Sequence, residues 1–287
     1  MYFLTTVQDE ASRRIKKKKV KREECIFVGE TDINKDKVLS KSGVKYIQSL
    51  YHKKFRDQEG VFVAEGVKMV KEFLQYAADL LHQLYALPEW VENNAMLLEH
   101  FPPEKIFEIS NAELQRISSL TTPNQVLAIV QKKPQQPVIP SGKETILMLD
   151  DIQDPGNMGT IIRTADWFGI NSILCGPGCA DMYNAKVLQS TMGSIIRVNI
   201  QYTNLTDWHA KHDHIPIYGC TLSGTSVYEF RAAAGCIILI GNESKGIRPE
   251  LLSRCTAQIT IPRLGGAESL NASVATGIVL SAITQKR

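Results

Sequence analysis

The chain has 287 residues and a net charge of +3. This length is sufficient for two domains that each bury a core. Residues 1–37 contain 10 Lys and Arg against 7 Asp and Glu, which leaves 23 of the 33 basic and 23 of the 30 acidic residues for the rest of the chain. The body of the protein is therefore neutral. A uniformly basic surface is excluded, and any affinity for nucleic acid requires local basic patches.

Residues 13–22, RRIKKKKVKR, form the strongest run of basic charge. We favour a solvated, disordered tail over a nucleic-acid-binding arm, and a third interpretation places the true start of the protein near Val38.

The N-terminal segment 1–37 lacks the apolar core of a secretion signal, and no apolar run in the chain approaches the length of a membrane span. The six cysteines show no C-x-x-C pairing, which indicates reduced thiols. We expect a soluble, cytoplasmic protein.

Residues 38–131 are predicted to form a small α/β domain. Apolar periodicity predicts helices at 44–52, 67–76 and 112–118, and strands at 61–64, 82–87 and 126–130. Basic residues interleaved with aromatic ones surround the first helix, and we expect them to contact nucleic-acid phosphates: Lys41, Lys45, Lys53, Lys54 and Arg56. The alternative is that they only confer solubility. The composition of residues 132–142, KKPQQPVIPSG, is typical of a linker.

From residue 143 to the C-terminus, strand and helix patterns alternate, which predicts a mostly parallel sheet with helices on both faces. The strand pattern at 145–149 ends in DDIQDPGNMG, and an amphipathic helix pattern follows. Asn157, Gly159 and Arg163 form N-x-G-x-x-x-R at this turn. Open α/β sheets bind ligands at the carboxyl ends of their strands, so this turn is a candidate ligand site.

Two further polar loops follow strand patterns in the same way. The buried strand pattern at 236–240 ends in the loop GNESKG at 241–246. Near the C-terminus, a strand pattern and a Gly-Gly pair precede Ser269, Asn271 and Ser273, which stand immediately before an apolar helix pattern at 274–283. One Ser or Asn is enough to cap a helix. Three of them beside two glycines predict a ligand-binding loop.

Taken in order, the three motifs resemble those of the SpoU/TrmH-type RNA methyltransferases of the SPOUT class. They are N-x-G-x-x-x-R-x-A at 157–165, G-N-E-x-x-G at 241–246 and I-P-x-x-G-x-x-x-S-L-N-x-S-V-A at 261–275. The joint match is far more specific than any one motif. The segment 44–68 also resembles the small substrate-binding domain of many members. The resemblance implies a C-terminal trefoil knot within residues 143–287, although threaded chains are rare in general.

The resemblance further implies methyl transfer from S-adenosylmethionine to a ribose 2′-hydroxyl of RNA, with rRNA favoured over tRNA. The catalytic residues that it implies are Asn157, Arg163, Glu243, Ser269 and Asn271. The adenosyl group would lie among Thr221, Gly241, Asn242, Ile261 and Leu270. It also implies a homodimer, with the helix at 274–283 as a candidate contact, although ordinary core packing would explain this helix equally well. The alternative function is RNA or ribosome binding without catalysis, but such a protein would be free to lose these residues.

The roles of three kinds of residue stay open at this point. We expect Arg163 to bind phosphate and the developing alkoxide instead of acting as a base, because deprotonating a guanidinium at pH 7 costs about 8 kcal/mol; the alternative is a surface ion pair. Glu243 either takes part in catalysis or accepts hydrogen bonds from loop N–H groups. His209, His212 and His214 have no neighbouring Cys, so we expect surface histidines and no metal. The chain has no G-x-G-x-x-G after a strand, which argues against NAD.

Overall fold

The computed structural model of the protein describes residues 39–285. The basic run at 13–22, the start near Val38 and Cys25 lie outside the described residues. The other five cysteines are free, and Cys175, Cys179 and Cys236 are buried, as expected for reduced thiols. Within residues 39–285, no helix combines the length and the apolar character that crossing a membrane requires.

The first part of the chain forms a four-stranded sheet with helices around it. Strand β4 pairs antiparallel with both β1 and β2, and β2 pairs parallel with β3, in the order β1-β4-β2-β3. The elements are α1 (Lys41–Ser49), α2 (Lys53–Glu59), β1 (Val61–Glu65), α3 (Val67–Tyr76), β2 (Leu81–Ala86), α4 (Pro88–Asn93), α5 (Ala95–Leu98), β3 (Ile106–Glu108), α6 (Asn111–Ile117) and β4 (Val126–Gln131).

The predicted helix at 44–52 is in fact two helices. Helix α1 ends at Ser49, and α2 begins at Lys53 after a turn. The predicted helix at 112–118 is α6, which begins with a capping box: the Ser110 side chain accepts from Glu113 N, and the Glu113 carboxylate accepts from Ser110 N. The sequence patterns did not identify α2, α4, α5 or β3, since these elements are too short for a periodic signal.

The second part forms a six-stranded sheet in the order β10-β8-β9-β5-β6-β7. All five neighbouring pairs are parallel, which confirms the prediction of a mostly parallel sheet. Every residue of the central strands β5 and β9 is buried. The elements are β5 (Thr145–Leu149), α7 (Pro155–Trp167), β6 (Ser172–Cys175), α8 (Ala185–Thr191), β7 (Asn199–Tyr202), α9 (Leu205–Ala210), β8 (Ile217–Ser226), β9 (Cys236–Ile240), α10 (Pro249–Leu252), β10 (Ala257–Thr260) and α11 (Ala272–Thr284). The trefoil knot stays a prediction.

The segment between the two sheets lies along the edge strand β7. Val138 N donates to Gln201 Oε1 at 2.7 Å, and Gln135 Nε2 donates to the carbonyl of Tyr202 at 3.2 Å. Asn199 Nδ2 donates to the carbonyl of Gln136 at 3.2 Å. The residues predicted as a linker are therefore attached to the sheet by side-chain hydrogen bonds.

The two sheets share one apolar core. A single cluster of buried side chains contains Phe62 and Val130 from the first sheet and Leu147 and Ile173 from the second. The Phe62 ring contacts that of Tyr183, with centroids 4.6 Å apart. The small domain is thus packed against the larger one and not merely tethered to it.

Candidate active site

Side chains from all three sequence motifs meet in one hydrogen-bond network. Asn157 Nδ2 donates to Glu243 Oε1 at 2.6 Å. Asn157 Oδ1 accepts from Asn271 Nδ2 at 2.8 Å and from Ser273 Oγ at 3.3 Å. These residues follow β5, β9 and β10, so the predicted convergence at the carboxyl ends of the strands occurs.

Asn157 is positioned by the start of α7. Asp154 caps this helix, with its side chain accepting from Asn157 N at 2.8 Å, and Pro155 occupies the first helical position. The same hydrogen bond lowers the pKa of Asp154. Because the backbone of Asn157 is held in the first turn, its side chain extends across to the other motifs.

Gly159 allows α7 to approach α8 closely. A Cβ atom at this position would lie 2.4 Å from the carbonyl oxygen of Val187 and 2.5 Å from Ser190 Cβ. Such distances are far shorter than van der Waals contact, so any larger residue would push the two helices apart. The glycine of the N-x-G motif is therefore a packing requirement of the helix that carries Asn157 and Arg163.

Asn271 both caps α11 and joins the network. Its Oδ1 accepts from Ser273 N at 2.9 Å and from Val274 N at 3.3 Å, while its Nδ2 reaches Asn157. Ser273 Oγ donates to the same Oδ1 at 2.6 Å. Ser273 was not among the predicted catalytic residues. Its position two residues after Asn271 at a helix N-terminus could have indicated that its hydroxyl reaches the same network. The predicted catalytic Ser269 is exposed and lines the adjacent cavity.

A cavity of about 650 Å³ lies next to this network. All five residues predicted to hold the adenosyl group line it: Thr221, Gly241, Asn242, Ile261 and Leu270. Glu243 lines it as well, so the network and the cavity share a wall. The volume is in the ordinary range for a small-molecule or cofactor site.

The loop at 241–246 is closed on itself. Asn242 N donates to the carbonyl of Gly246 at 3.0 Å, and Gly246 N donates to the carbonyl of Asn242 at 2.9 Å. Asn242 Oδ1 accepts from two loop N–H groups, and its Nδ2 donates to the carbonyl of Asp151 at 2.8 Å. The Asn242 side chain and backbone thus both hold the loop in its closed form.

A buried carboxylate that sequence reasoning missed supports the same loop. Asp150, which is fully buried, accepts from Arg248 N at 2.8 Å and from Arg248 Nε at 2.7 Å. The pair ties the segment after Gly246 to the end of β5. No pattern in the sequence could have indicated this pairing, because the two residues are 98 positions apart.

Arg163 is exposed on α7 and has no ion-pair partner within residues 39–285. Asp166, the acidic residue three positions further on, pairs with Arg197 instead, at 2.8 Å. Burial alone would raise the pKa of Asp166, but the hydrogen bonds from Arg197 and Ser194 and the Arg197 charge together lower it. Among the described residues, the alternative of a surface ion pair for Arg163 is therefore not observed.

The structure separates the residues predicted to bind RNA. Lys41, Lys45, Lys53 and Lys54 are exposed on α1 and α2. Arg56 is only 2% exposed and forms an ion pair with Asp181, so its predicted contact with RNA phosphates is wrong. It faces inward because its guanidinium finds acceptors there, namely the carbonyls of Leu50 and Tyr51 and the carboxylate of Asp181.

The histidine cluster also differs from expectation. His209 is buried, and burial lowers its pKa, so its assignment as a surface residue is wrong. His212 stacks on Trp208 with ring centroids 4.1 Å apart. Within the described residues, no group of three His, Cys, Asp or Glu side chains is arranged to hold a metal ion.

Comparisons with known proteins agree with this geometry. The sequence profile of the SpoU rRNA methylase family matches residues 144–281, and that of the MRM3-like substrate binding domain matches residues 41–128. The 23S rRNA (guanosine(2553)-2′-O)-methyltransferase RlmP of Bacillus subtilis is 29% identical over 244 residues, which cover 83% of this chain and 94% of that protein.

Two solved structures cover most of the chain. A TrmH-family protein from Porphyromonas gingivalis superposes with a TM-score of 0.77 at 34% identity, over 88% of this chain and 100% of that one. The AdoMet-bound rRNA methyltransferase from Sinorhizobium meliloti superposes with a TM-score of 0.75 at 30% identity, over 85% of this chain and 95% of that one.

The parallel sheet, the cavity at its carboxyl edge and the appended small domain define a methyltransferase with a substrate-binding domain. The chain belongs to the SpoU/TrmH family of RNA methyltransferases. The family inferred from the three motifs is thereby confirmed. The prediction of S-adenosylmethionine as cofactor agrees with the AdoMet-bound structure from Sinorhizobium.

Proposed function

We propose that this protein transfers the methyl group of S-adenosylmethionine to a ribose 2′-hydroxyl of rRNA. The observation that carries the proposal is the network of Asn157, Glu243 and Asn271, which joins three motifs beside a cavity of about 650 Å³. The cavity offers aliphatic walls (Ile261, Leu270) together with loop backbone groups. Such a lining suits an adenosine with an amino acid tail, because apolar contacts hold the base and backbone groups hold the polar ends.

S-adenosylmethionine, when bound, supplies a methyl group on a positively charged sulfur. In the transfer, the 2′-oxygen forms a bond to the methyl carbon while the carbon–sulfur bond breaks, and the hydroxyl proton leaves to a phosphate oxygen or water. The guanidinium of Arg163, which is exposed and has no ion-pair partner among residues 39–285, can bind an RNA phosphate with two parallel hydrogen bonds and stabilise the developing alkoxide. A guanidinium stays protonated throughout, which suits this role better than that of a base.

Glu243 acts in this scheme by orienting Asn157. Its Oε1 accepts from the Asn157 side chain, so the amide has a fixed direction, and Asn157 Oδ1 accepts from Asn271 and Ser273. A polar group that is held by several partners needs little reorganisation during the reaction. Ser269 lies at the cavity wall, where its hydroxyl would reach the substrate or the cofactor.

One observation favours rRNA over tRNA as the substrate, and a second supports RNA binding in general. The Bacillus relative that matches 83% of the chain is named as a 23S rRNA ribose methyltransferase. The small domain matches a substrate-binding domain profile, and its exposed Lys41, Lys45, Lys53 and Lys54 provide a local basic patch on a neutral body. We place this activity in the cytoplasm.

A homodimer is also part of the proposal. Trp167 at the end of α7 is 84% exposed, and Val274 in the first turn of α11 is 51% exposed. The two helices pack against each other, so both exposed side chains lie on neighbouring elements. A large exposed aromatic side chain is typical of a surface that is covered by a partner. We infer that a second copy of the chain covers it, near Arg163.

Mapping of ribose 2′-O-methyl groups in total RNA tests the function directly. Cells that lack the protein should lose methylation at a defined rRNA position. Expression of the wild-type chain should restore it, whereas an Arg163→Ala chain should not. A restored methyl group in a tRNA, or on a base, would contradict the proposed substrate, and full restoration by the Arg163→Ala chain would contradict the proposed site.

A further inference from the structure

We propose that Arg56 is a positioning residue, which together with Asp181 fixes the small domain on the segment that supports the catalytic helix. Because RNA methylation is itself proposed above, this role rests on that function. The pair joins the two parts of the molecule: Arg56 lies on α2 of the small domain, and Asp181 lies between β6 and α8 of the larger domain.

The Arg56 guanidinium is bound by backbone carbonyls of its own domain through one nitrogen, Nη1. Its Nη1 donates to the carbonyls of Leu50 at 3.1 Å and Tyr51 at 2.7 Å, which are the carbonyls at the end of α1. Its Nη2 donates to Asp181 Oδ2 at 2.6 Å. The side chain is 3% exposed, so this charge is held inside the interface and its direction is set from three sides.

Asp181 in turn is fixed within the larger domain. Its Oδ1 accepts from Tyr183 N at 3.1 Å, and the Tyr183 ring packs on Phe62 of the small domain. The carboxylate is 19% exposed, so it is largely shielded from water. Removal of one partner from a shielded pair leaves the other charge without compensation, which makes the pair sensitive to substitution.

A second ion pair lies at the other end of residues 181–197, and here the larger domain supplies the arginine and the small domain the carboxylate. Arg197, which follows α8, pairs with Glu72 on α3 of the small domain, and it also holds Asp166 on α7. The small domain therefore forms ion pairs with residues 181–197 at both ends of this segment. Between these ends, α8 packs on β1 of the small domain and, at Gly159, directly on α7.

This arrangement connects the RNA-binding surface to the reacting groups through rigid elements. The exposed lysines lie on α1 and α2, and Arg56 lies on α2 as well. Asn157 and Arg163 lie on α7, which packs against α8. A displacement of about 1 Å in the geometry of bound substrate can cost about 100-fold in rate. The pair thus sets the distance between bound RNA and the catalytic helix without touching either substrate.

Asp181→Asn is the primary test, because it removes the charge between domains and leaves the bonds of Arg56 to α1 intact. In the full-length protein we expect the turnover number at saturating RNA to fall by about tenfold or more. The dissociation constants for S-adenosylmethionine and for RNA should stay within about threefold of wild type, since both binding surfaces are retained. Arg56→Met, and the double variant, should lose no more than the worse single variant, because the two residues act as one unit.

Hydrogen exchange measured by mass spectrometry gives a readout that needs no activity. Amides of residues 181–197 should exchange faster in Asp181→Asn, while those of the loop 241–246 should be unchanged. Asp57→Asn is the matched control: Asp57 is half-exposed at the adjacent position of α2 and pairs with Lys132 and not with residues 181–197, so exchange and turnover should stay at wild-type values.

Wild-type exchange in residues 181–197 of a folded Asp181→Asn protein would overturn the proposal, as would unchanged turnover or a parallel loss of cofactor affinity. If the wild-type protein methylated no RNA, the function proposed above would fail, and the exchange measurement would still decide whether the pair fixes the two domains.

Discussion

The side-chain amide of Asn157 donates a 2.6 Å hydrogen bond to Glu243 across 86 residues of sequence. The bond requires an amide on one side and a carboxylate on the other, since a second carboxylate could not donate unless it were protonated. The pair therefore consists of one donor and one acceptor, and replacing the amide of Asn157 by a carboxylate tests this arrangement.

The substitution Asn157→Asp should lower turnover by about 100-fold at pH 8. Two carboxylates at this distance repel each other, and one of them acquires a raised pKa. As the pH falls, protonation restores a donor between them, so the deficit relative to wild type should shrink between pH 8 and pH 6. A methyl-transfer assay of variant and wild type at pH 8 and at pH 6 measures this change. Asn157→Ala, which has no titratable group, should show the same deficit at each pH; equal deficits for both variants would count against the paired arrangement.

Arg163→Ala should lower turnover by orders of magnitude and leave the affinity for S-adenosylmethionine nearly unchanged, because the guanidinium faces solvent on α7 and does not line the cofactor cavity. Arg163→Lys should not restore activity, since an ammonium group cannot form two parallel hydrogen bonds with a phosphate. Single-turnover kinetics and calorimetry measure the two quantities. Near-normal turnover in the Lys variant would exclude the bidentate role, and a large loss of cofactor affinity in the Ala variant would move Arg163 to the cofactor.

Gly241→Ala should weaken S-adenosylmethionine binding by about tenfold or more. A Cβ atom there would lie 2.4 Å from the carbonyl carbon of Gly246, so the closed loop at 241–246 must open to accept it. Gly265→Ala is the control, because it lines the same cavity and a Cβ atom would meet nothing within 4 Å. Calorimetry on the full-length variants should show weak binding for the first and wild-type binding for the second; the reverse order would place the cofactor elsewhere.

Trp167→Lys should convert the proposed homodimer to a monomer in sedimentation at micromolar concentration. The new charge would lie at the centre of a contact that excludes water, whereas in a single chain it replaces a side chain that is already 84% exposed. The melting temperature of the monomer should therefore change little. Met96→Lys replaces an equally exposed apolar residue on α5 and should leave the oligomeric state unchanged. If the wild-type protein sedimented as a fully active monomer, the homodimer would be excluded.

Asp154→Ala should destabilise the protein by about 1 kcal/mol at neutral pH through loss of the α7 cap. The pKa of Asp154 is lowered in the folded state, chiefly by the hydrogen bond from Asn157 N. The capping contribution is therefore fully present above the unfolded-state pKa of about 4 and is lost as the pH falls through the lower, folded-state value. Urea unfolding should show a clear difference between variant and wild type at pH 7 and a smaller one at pH 3. A difference independent of pH would mean that the carboxylate does not carry the cap.

The sequence predicted the parallel sheet and the convergence of its three motifs because both depend on local signals. Strand ends, glycine turns and helix caps are encoded within a few residues, and parallel topology then brings the ends together. The five residues that the family resemblance assigned to the cofactor all line one cavity. Arg56 was assigned to the surface by its basic neighbours, and only its pairing with Asp181, 125 positions away, shows why it is buried.

The same limit applies to Asp150, whose partner Arg248 lies far along the chain, and to His209, whose burial depends on the packing of α9. The short elements α4, α5 and β3 escaped prediction for a different reason. Three to six residues are too few to establish a period, and their positions are set by the tertiary core around them.

The hydrogen bonds of residues 135–138 along β7 affect where the protein can be truncated to give a stable fragment. A fragment that began at residue 143 would lack the segment that lies along the outer strand of the six-stranded sheet, which leaves this edge and the Tyr202 carbonyl open to a neighbouring molecule. That fragment, like one that begins at residue 132, would also lack the contact of the Tyr183 ring with Phe62. Expression of the catalytic half alone should therefore yield aggregates, whereas a fragment that begins at residue 132 would retain the strip that shields β7 and should be the better starting point for dissection.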